Sequence, residues 1–283
     1  MARWTGIILA LPSSRTDGMV SRLPAYLHPI AGRPLVWHAA ASLAEAPSKP
    51  ERVIVVSEGD LPADLFQDLP VHVDAFTVPD AESRQRSVLQ PLGDGEERCL
   101  AVHAAAVLAA ETLEVLLDSS PGSWVVGGPE DAAAAHGDPE RLSQLLRLPD
   151  PFAVPNGVLA AADRLSDSRD TSIVQNRAQL AATSDRIRRQ IVRGHMAAGV
   201  TFLLPETVLV DVDVRIGRDS ILYPGVVLEG STTVGDETVI GPGCRIIDSW
   251  VGSGVELRGW NYISHTSIRN RAILEPYVRR GFD

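Results

Sequence analysis

Three things are scarce in this sequence. Lysine comes first: of 26 basic side chains only Lys49 is a lysine, against 36 acidic ones, which leaves a formal charge of −10. A balance of that sign excludes general nucleic-acid binding, which needs a basic face. Cysteine is limited to Cys99 and Cys244, and no Cys/His cluster has metal-ligand spacing. Both fall in apolar segments, so a reduced pair in a cytoplasmic protein is the expectation. Long hydrophobic runs are the third absence. None reaches bilayer length, and the apolar core of "MARWTGIILALPSSRTDG" is too short for a secretory signal and lacks a cleavage pattern. Neither membrane insertion nor export is expected. With 283 residues, 45% hydrophobic and 22% charged, the chain has room for two globular domains.

What the sequence does have is a period of six, from Val210 to Val278. Aliphatic residues return at Val210, Ile216, Leu222, Leu228, Val234, Ile240 and Ile246. A five-residue step leads to Val251, Leu257 and Ile263, and a second to Ile268 and Leu274. Four places after these residues sits a small or β-branched one, such as Ser220, Thr232, Thr238 and Cys244. Neither a helix nor an ordinary strand repeats every six residues. A β-helix of hexapeptide turns does, each hexapeptide forming one wall of a triangular coil. The aliphatic residue then points into the prism and the small one packs near a corner. The Gly that often follows (Gly217, Gly235, Gly241, Gly252) is read as permitting the corner bend. Such a coil cannot bury its ends and faces alone, so a cap or an oligomer is expected.

Before this repeat, short apolar runs alternate with helical patterns. "TGIILA", "ERVIVVS", "VHVDAFTV", "RCLAVHA" and "SWVVGG" read as strands of a largely parallel sheet. "RPLVWHAAASLAEA", "LPADLFQDL", "ESRQRSVLQPL" and "AAETLEVLLDS" read as helices, Pro34 opening the first. Residues 129–172, with an Ala tract at 132–135, are irregular. A long helix carrying five arginines follows and stops at Gly199; its basic face reads as solvated and charge-paired. The domains are placed at 1–174 (α/β), 175–199 (linker helix) and 200–283 (β-helix).

"NRAQLA", "HMAAGVTFLLPETVLVDVDVRIGRDSILYPGVVLEGSTTVGDETVIGPG" and "IIDSWVG" resemble the bifunctional N-acetylglucosamine-1-phosphate uridylyltransferase / glucosamine-1-phosphate acetyltransferase. "GIILA" and "LPAYLHPIAGRPLVWHAAASL" are similar to the start of the same enzyme. "ESRQRSVL" with "RCLAVHAAAVLAAETLEVLL" is closer to the cytidylyltransferase of isoprenoid biosynthesis. The resemblance implies a Rossmann-like (GT-A type) nucleotidyltransferase domain followed by a left-handed parallel β-helix that assembles as a homotrimer.

It also implies a site. In the family a Gly-rich loop after the first strand cradles the triphosphate, a Lys binds phosphate, and an acidic residue after the fourth strand holds Mg²⁺. Here the loop reads "LPSSRTDGM", with Pro12 at the first Gly position, which removes an amide donor. Ala25 stands at the lysine position, Ala104 at the carboxylate and Gln175 at a second metal contact. His103 beside Ala104 is a poor ligand for a hard ion, and Lys49 is no substitute on sequence grounds. Candidate nucleotide contacts are Ser13, Ser14, Arg15, Arg22 and Ser87, and candidate sugar contacts are Asn156 and Gly157. For Ser87, Asn156 and Gly157 a helix cap or turn is the competing reading, and Arg84 and Arg86 read as surface charges. The family's acetyl-transfer coils lie beyond "ILEPYVRR", so acyl transfer would fall to His265, whose competing reading is an exposed turn.

Joint loss of glycine, lysine and carboxylate would remove many orders of magnitude in rate. The first expectation is therefore a catalytically degenerate relative without a cofactor, acting as an oligomeric scaffold or nucleotide-sugar-binding subunit. The alternatives are an active, Mg²⁺-using nucleotidyltransferase that makes a UDP- or CDP-linked product, and an acyltransferase working through the β-helix.

Overall fold

The computed structural model describes residues 3–11, 19–92, 98–119, 124–126, 132–148, 150–153, 164–165 and 173–281, with backbone alone at 124–126 and 164–165. The chain divides into two compact units: Met1–His28 with Pro34–Thr183, and Pro29–Arg33 with Ser184–Asp283.

The first unit is built on a seven-stranded sheet. Its strands are β1 (Trp4–Ala10), β4 (Arg52–Ser57), β5 (Val73–Thr77), β6 (Arg98–His103), β7 (Trp124–Val126), β8 (Ala132–Gly137) and β9 (Arg164–Leu165). A two-stranded pair, β2 (Pro29–Ile30) and β3 (Arg33–Pro34), interrupts them in the sequence. The order across the sheet is β5-β4-β1-β6-β8-β7-β9. The strands β5, β4, β1 and β6 run parallel, and β8 pairs antiparallel with both β6 and β7. Every residue of β1 is buried, which is why its sequence is continuously apolar rather than alternating.

Helices α1 (Leu35–Ala44), α2 (Ala81–Leu92), α3 (Ala110–Asp118) and α4 (Pro139–Leu146) complete the layer. Val88 and Leu92 of α2 and Leu142, Leu145 and Leu146 of α4 share a core with Ile7, Leu9, Ile54 and Val56. A Cβ on Gly6 would lie 2.8 Å from Leu43 Cδ1 of α1, so the glycine makes room for that helix. At α4, Asp138 caps the first turn by accepting the Arg141 amide at 2.8 Å, and Pro139 occupies the first helical position.

Two segments differ from the sequence reading. "LPADLFQDL" forms consecutive turns rather than a helix, as its Pro and two aspartates within a short span favour. The alanine tract is not irregular: Ala132–Gly137 is β8, inside the sheet, with Ala132, Ala133 and Ala134 fully buried. Alanine has weak strand propensity, but a strand enclosed on both faces is decided by the space available, not by propensity.

The second unit is the β-helix. Three parallel sheets of five, five and four strands form its walls. The aliphatic positions of the six-residue series stack on one another: Val210 on Leu228 on Ile246 on Ile263, and Leu222 on Ile240 on Leu257 on Leu274. All are buried except Ile216 and Leu274, which are partly buried. The five-residue steps fall at one corner, which Asp248 (φ 42°) and His265 (φ 45°) turn in the left-handed region.

The glycines after the aliphatic residues do something other than bend the chain. Gly217, Gly235, Gly241 and Gly252 are absent from the positive-φ positions, where Gly225, Gly230, Gly243 and Gly254 appear. A Cβ on Gly217 would lie 2.4 Å from Asp236 N, and one on Gly235 would lie 2.5 Å from Ser253 N. These glycines let successive coils approach.

Inside the prism, hydroxyls close backbone polar groups at a corner of full six-residue steps. Thr238 Oγ1 donates to Gly252 O at 2.9 Å, and Ser220 Oγ to Gly235 O at 2.9 Å. The long helix α5 (Arg177–Ala197) ends as expected, with Gly199 at φ 99°. Its Val192 and Ile191 join the prism core. Arg188 donates to Pro205 O at 2.9 Å and pairs with Asp185 at 2.7 Å, so one of the five arginines is a structural clamp rather than a solvated charge.

Candidate functional site

In a parallel sheet, loops at the carboxyl ends of the strands gather the chemistry. Here the ends of β1 and β6 meet in the first unit, and a small cavity of about 170 Å³ opens there. Among the described residues Leu11, Met19, Arg22, Tyr26, His103 and Ala105 line it. Pro12, Ser13, Ser14 and Arg15, the heart of the expected phosphate loop, lie outside the described residues, as do Asn156 and Gly157.

Of the expected site residues, Arg22 is at the cavity with its side chain exposed. Ala25 sits in a 3-10 turn (Ala25–Leu27) and is buried. Ala104 is fully buried, its amide donating to Leu9 O at 3.2 Å. His103 is held by its own loop, Nδ1 accepting the Ala105 amide at 3.0 Å while the ring packs 5.4 Å from Phe152. Ser87 is half-buried on α2 and does not line this cavity. Gln175 precedes α5, and its amide donates to Gln179 Oε1 at 2.8 Å. Lys49 is exposed and precedes β4, at the amino ends of the strands rather than at the site.

Arg84 corrects the sequence reading. It is not a surface charge but 3% exposed, donating to Leu146 O and Leu148 O at 3.3 and 3.0 Å and to Glu58 Oε1 at 3.3 Å. A guanidinium at the carboxyl end of α4 satisfies orphan carbonyls and opposes the helix dipole. Burial pulls its pKa down while Glu58 holds it up. Arg86, by contrast, is exposed.

Sequence reasoning missed two groups beside the cavity. Tyr26 is 4% exposed, and its phenol is pushed above the ordinary range by burial and then by Glu58. His28 is also buried, with Nδ1 facing Arg177 Nη1 at 3.5 Å. Arg177 in turn donates from Nε to Met19 O at 3.2 Å. The available signal was the pair of large polar rings in "LPAYLH", a segment too short to be a helix yet spaced to bury both.

These described residues do not fit Mg²⁺. The ion wants carboxylate and carbonyl oxygens in an octahedron; the strand end offers a buried alanine and an imidazole already engaged by an amide. Among the described residues no group of three His, Cys, Asp or Glu could hold a metal. In the second unit, His265 is at an exposed corner with Nδ1 3.9 Å from Asp248. This is the geometry of an exposed turn.

The bacterial transferase hexapeptide family (six repeats) matches residues 213–248. The bifunctional protein GlmU of Alkaliphilus oremlandii is 40% identical over 115 residues, covering 41% of this chain and 25% of that protein. This chain resembles GlmU. For the GlmU of Mycobacterium bovis (strain BCG / Pasteur 1173P2) the identity is 37% over 160 residues, covering 53% of this chain and 32% of the relative. The chain thus spans a quarter to a third of the length of these GlmU proteins. A nucleotidyl transferase of Methanothermobacter superposes over 66% of this chain and 99% of its own, with TM-score 0.47 and 13% identity. Among the described residues no helix is long and apolar enough to cross a membrane.

Proposed function

We propose that this chain is a sugar-nucleotidyltransferase-like protein of the GlmU kind that has lost nucleotidyl transfer. It serves as a trimeric scaffold or nucleotide-sugar-binding subunit in the cytoplasm, without a resident metal. The observation that carries this reading is Ala104. It is fully buried at the end of β6, where the resemblance requires the metal carboxylate, so the ion that neutralises the transferred phosphate has no anchor there. Trimerisation is supported by the apolar side chains left exposed on the prism: Leu203, Leu209, Trp250 and Ile273 are between 46% and 58% exposed.

The test is direct. Purified protein with Mg²⁺, each nucleoside triphosphate and hexosamine 1-phosphates releases no pyrophosphate, while a UDP-sugar raises the melting temperature by linkage. Turnover of about 1 s⁻¹ or more, the ordinary enzyme range, rejects the reading. Light scattering that reports a monomer rejects the trimer.

A second reading, an active nucleotidyltransferase making a UDP- or CDP-linked product, draws on the position of Arg22 at the cavity. It requires that UTP or CTP with Mg²⁺ shift the melting temperature and that Arg22→Ala remove the shift.

A further inference from the structure

The edge of the seven-stranded sheet carries a feature that nucleotide chemistry does not use. β5 ends the strand order and pairs only with β4 among the described strands. The first and last bonds of that pairing are Val53 N to His72 O at 2.9 Å and Val78 N to Ser57 O at 2.8 Å. Alternation along a parallel ladder therefore turns the N–H and C=O of Val73, Ala75 and Thr77 to the outer side. Ala75 and Thr77 are exposed and Val73 partly so. Natural edges are blunted by lysine, proline or inward charges; none of these three residues carries any.

A groove of about 580 Å³ runs beside this edge, floored by Leu61, Phe66, Leu69, Val71 and Phe76. That volume has room for at least two apolar side chains. The segments flanking it carry exposed Asp60 and Asp64, with Glu58 and Asp80 partly offset by Arg84 and Arg86, against Arg52 and His72, both of which lie near Asp74 (4.0 and 3.0 Å).

We infer that β5 is a strand-addition site for an extended basic peptide of a partner protein. Its backbone continues the sheet along Val73, Ala75 and Thr77, its apolar side chains enter the groove, and its lysines or arginines face the acidic rim. Three independent features select this occupant: a backbone rail with no partner among the described residues asks for an extended chain, the groove asks for apolar side chains on alternate residues, and the rim asks for positive charge.

The probe is a fluorescent seven-residue peptide alternating lysine and valine, read by anisotropy against the full chain. Binding is expected in the range of roughly tens of micromolar. It should weaken at least about tenfold when alternate backbone nitrogens of the peptide are methylated, and disappear when glutamate replaces lysine. Ala75→Pro should weaken it as much while the protein melts normally, because the N–H lost faces outward and supports no ladder bond. Asp60→Lys with Asp64→Lys should also weaken it. Equal binding by the methylated peptide overturns the proposal in favour of charge attraction alone. Absence of binding overturns it outright. Self-association of the wild type that Ala75→Pro abolishes would assign the edge to a second copy of this chain instead.

Discussion

Arg33 grips Asp213 with two bonds, Nε to Oδ2 at 2.7 Å and Nη2 to Oδ1 at 3.1 Å, across 180 positions of sequence. The pair belongs to the second unit, because the turn Pro29–Arg33 lies with the β-helix. Next to it Val212 N donates to Ala31 O at 3.1 Å. The same corner is closed two and three coils later by Asp248 N to Glu229 O and His265 N to Ile247 O. The turn thus supplies the carbonyl that a preceding coil would have given.

Asp213→Asn should therefore destabilise the second unit by about 1 kcal/mol, the upper range for a part-exposed bidentate pair. A double-mutant cycle with Arg33→Gln, followed by urea unfolding, should show a coupling of the same size. Additive single effects would mean that the pair contributes nothing net.

Two glycines of opposite kind test the close-approach account of the coils. Gly235→Ala places a methyl against Ser253 N and Oγ, at 2.5 and 2.6 Å, and should cost about 2–3 kcal/mol as overpacking against backbone. Gly194→Ala, inside α5 with nothing within 4 Å of the new carbon, should instead gain about 0.5–1 kcal/mol. Thermal melts of the two variants should move in opposite directions. A tolerated Gly235→Ala would return the bend explanation.

The β-helix was legible because each of its signals is local and repeated: one aliphatic residue per wall, and a small partner four places on. The role of Gly235 was not, since the Ser253 amide it admits is one coil away and no pattern within a hexapeptide points to it. The sheet was legible where strands are apolar throughout, as in Trp4–Ala10. It was missed at Ala132–Gly137, where burial overrides propensity. At the site, the sequence reading located Ala25 and Ala104 by resemblance, and their burial is what the structure adds. Arg84 was misplaced because a helix face in "ESRQRSVL" looks equally polar on both sides; only the carbonyls of Leu146 and Leu148, over sixty residues away, make one side an interior.

Those carbonyls make Arg84→Met informative. The change removes a charge that burial already opposes, yet it leaves Leu146 O, Leu148 O and Glu58 without their donor. A loss of about 2–3 kcal/mol is expected, most of it the cost of stranded acceptors. Arg86→Met on the same helix, exposed, should change stability by less than about 0.5 kcal/mol. Denaturant midpoints of the two variants settle whether position 84 is structural.

Acid sensitivity follows from His28 and His136. Both are buried with Nε2 unpartnered, and burial, reinforced by Arg177 beside His28 and Arg98 near His136, lowers each pKa below 6.5. The unfolded chain takes up protons near 6.5 that the folded chain refuses, so stability is full above that pH. It falls as the pH drops through 6.5 toward the lowered folded values, and levels off below them. The carboxylates Asp80 and Asp185 are held under 3.8 by their hydrogen-bond donors and lose their contribution only at lower pH; His195, lowered by burial, adds to the histidine step, and Asp211, raised by burial, acts in the opposite sense. Urea midpoints measured from pH 8 to 5 should be flat above 7 and decline through 6.5. His136→Gln should remove part of the decline, since a neutral amide has no proton to gain. A wild-type profile that stays flat to pH 5 would mean that the folded protein accommodates the imidazolium ions after all.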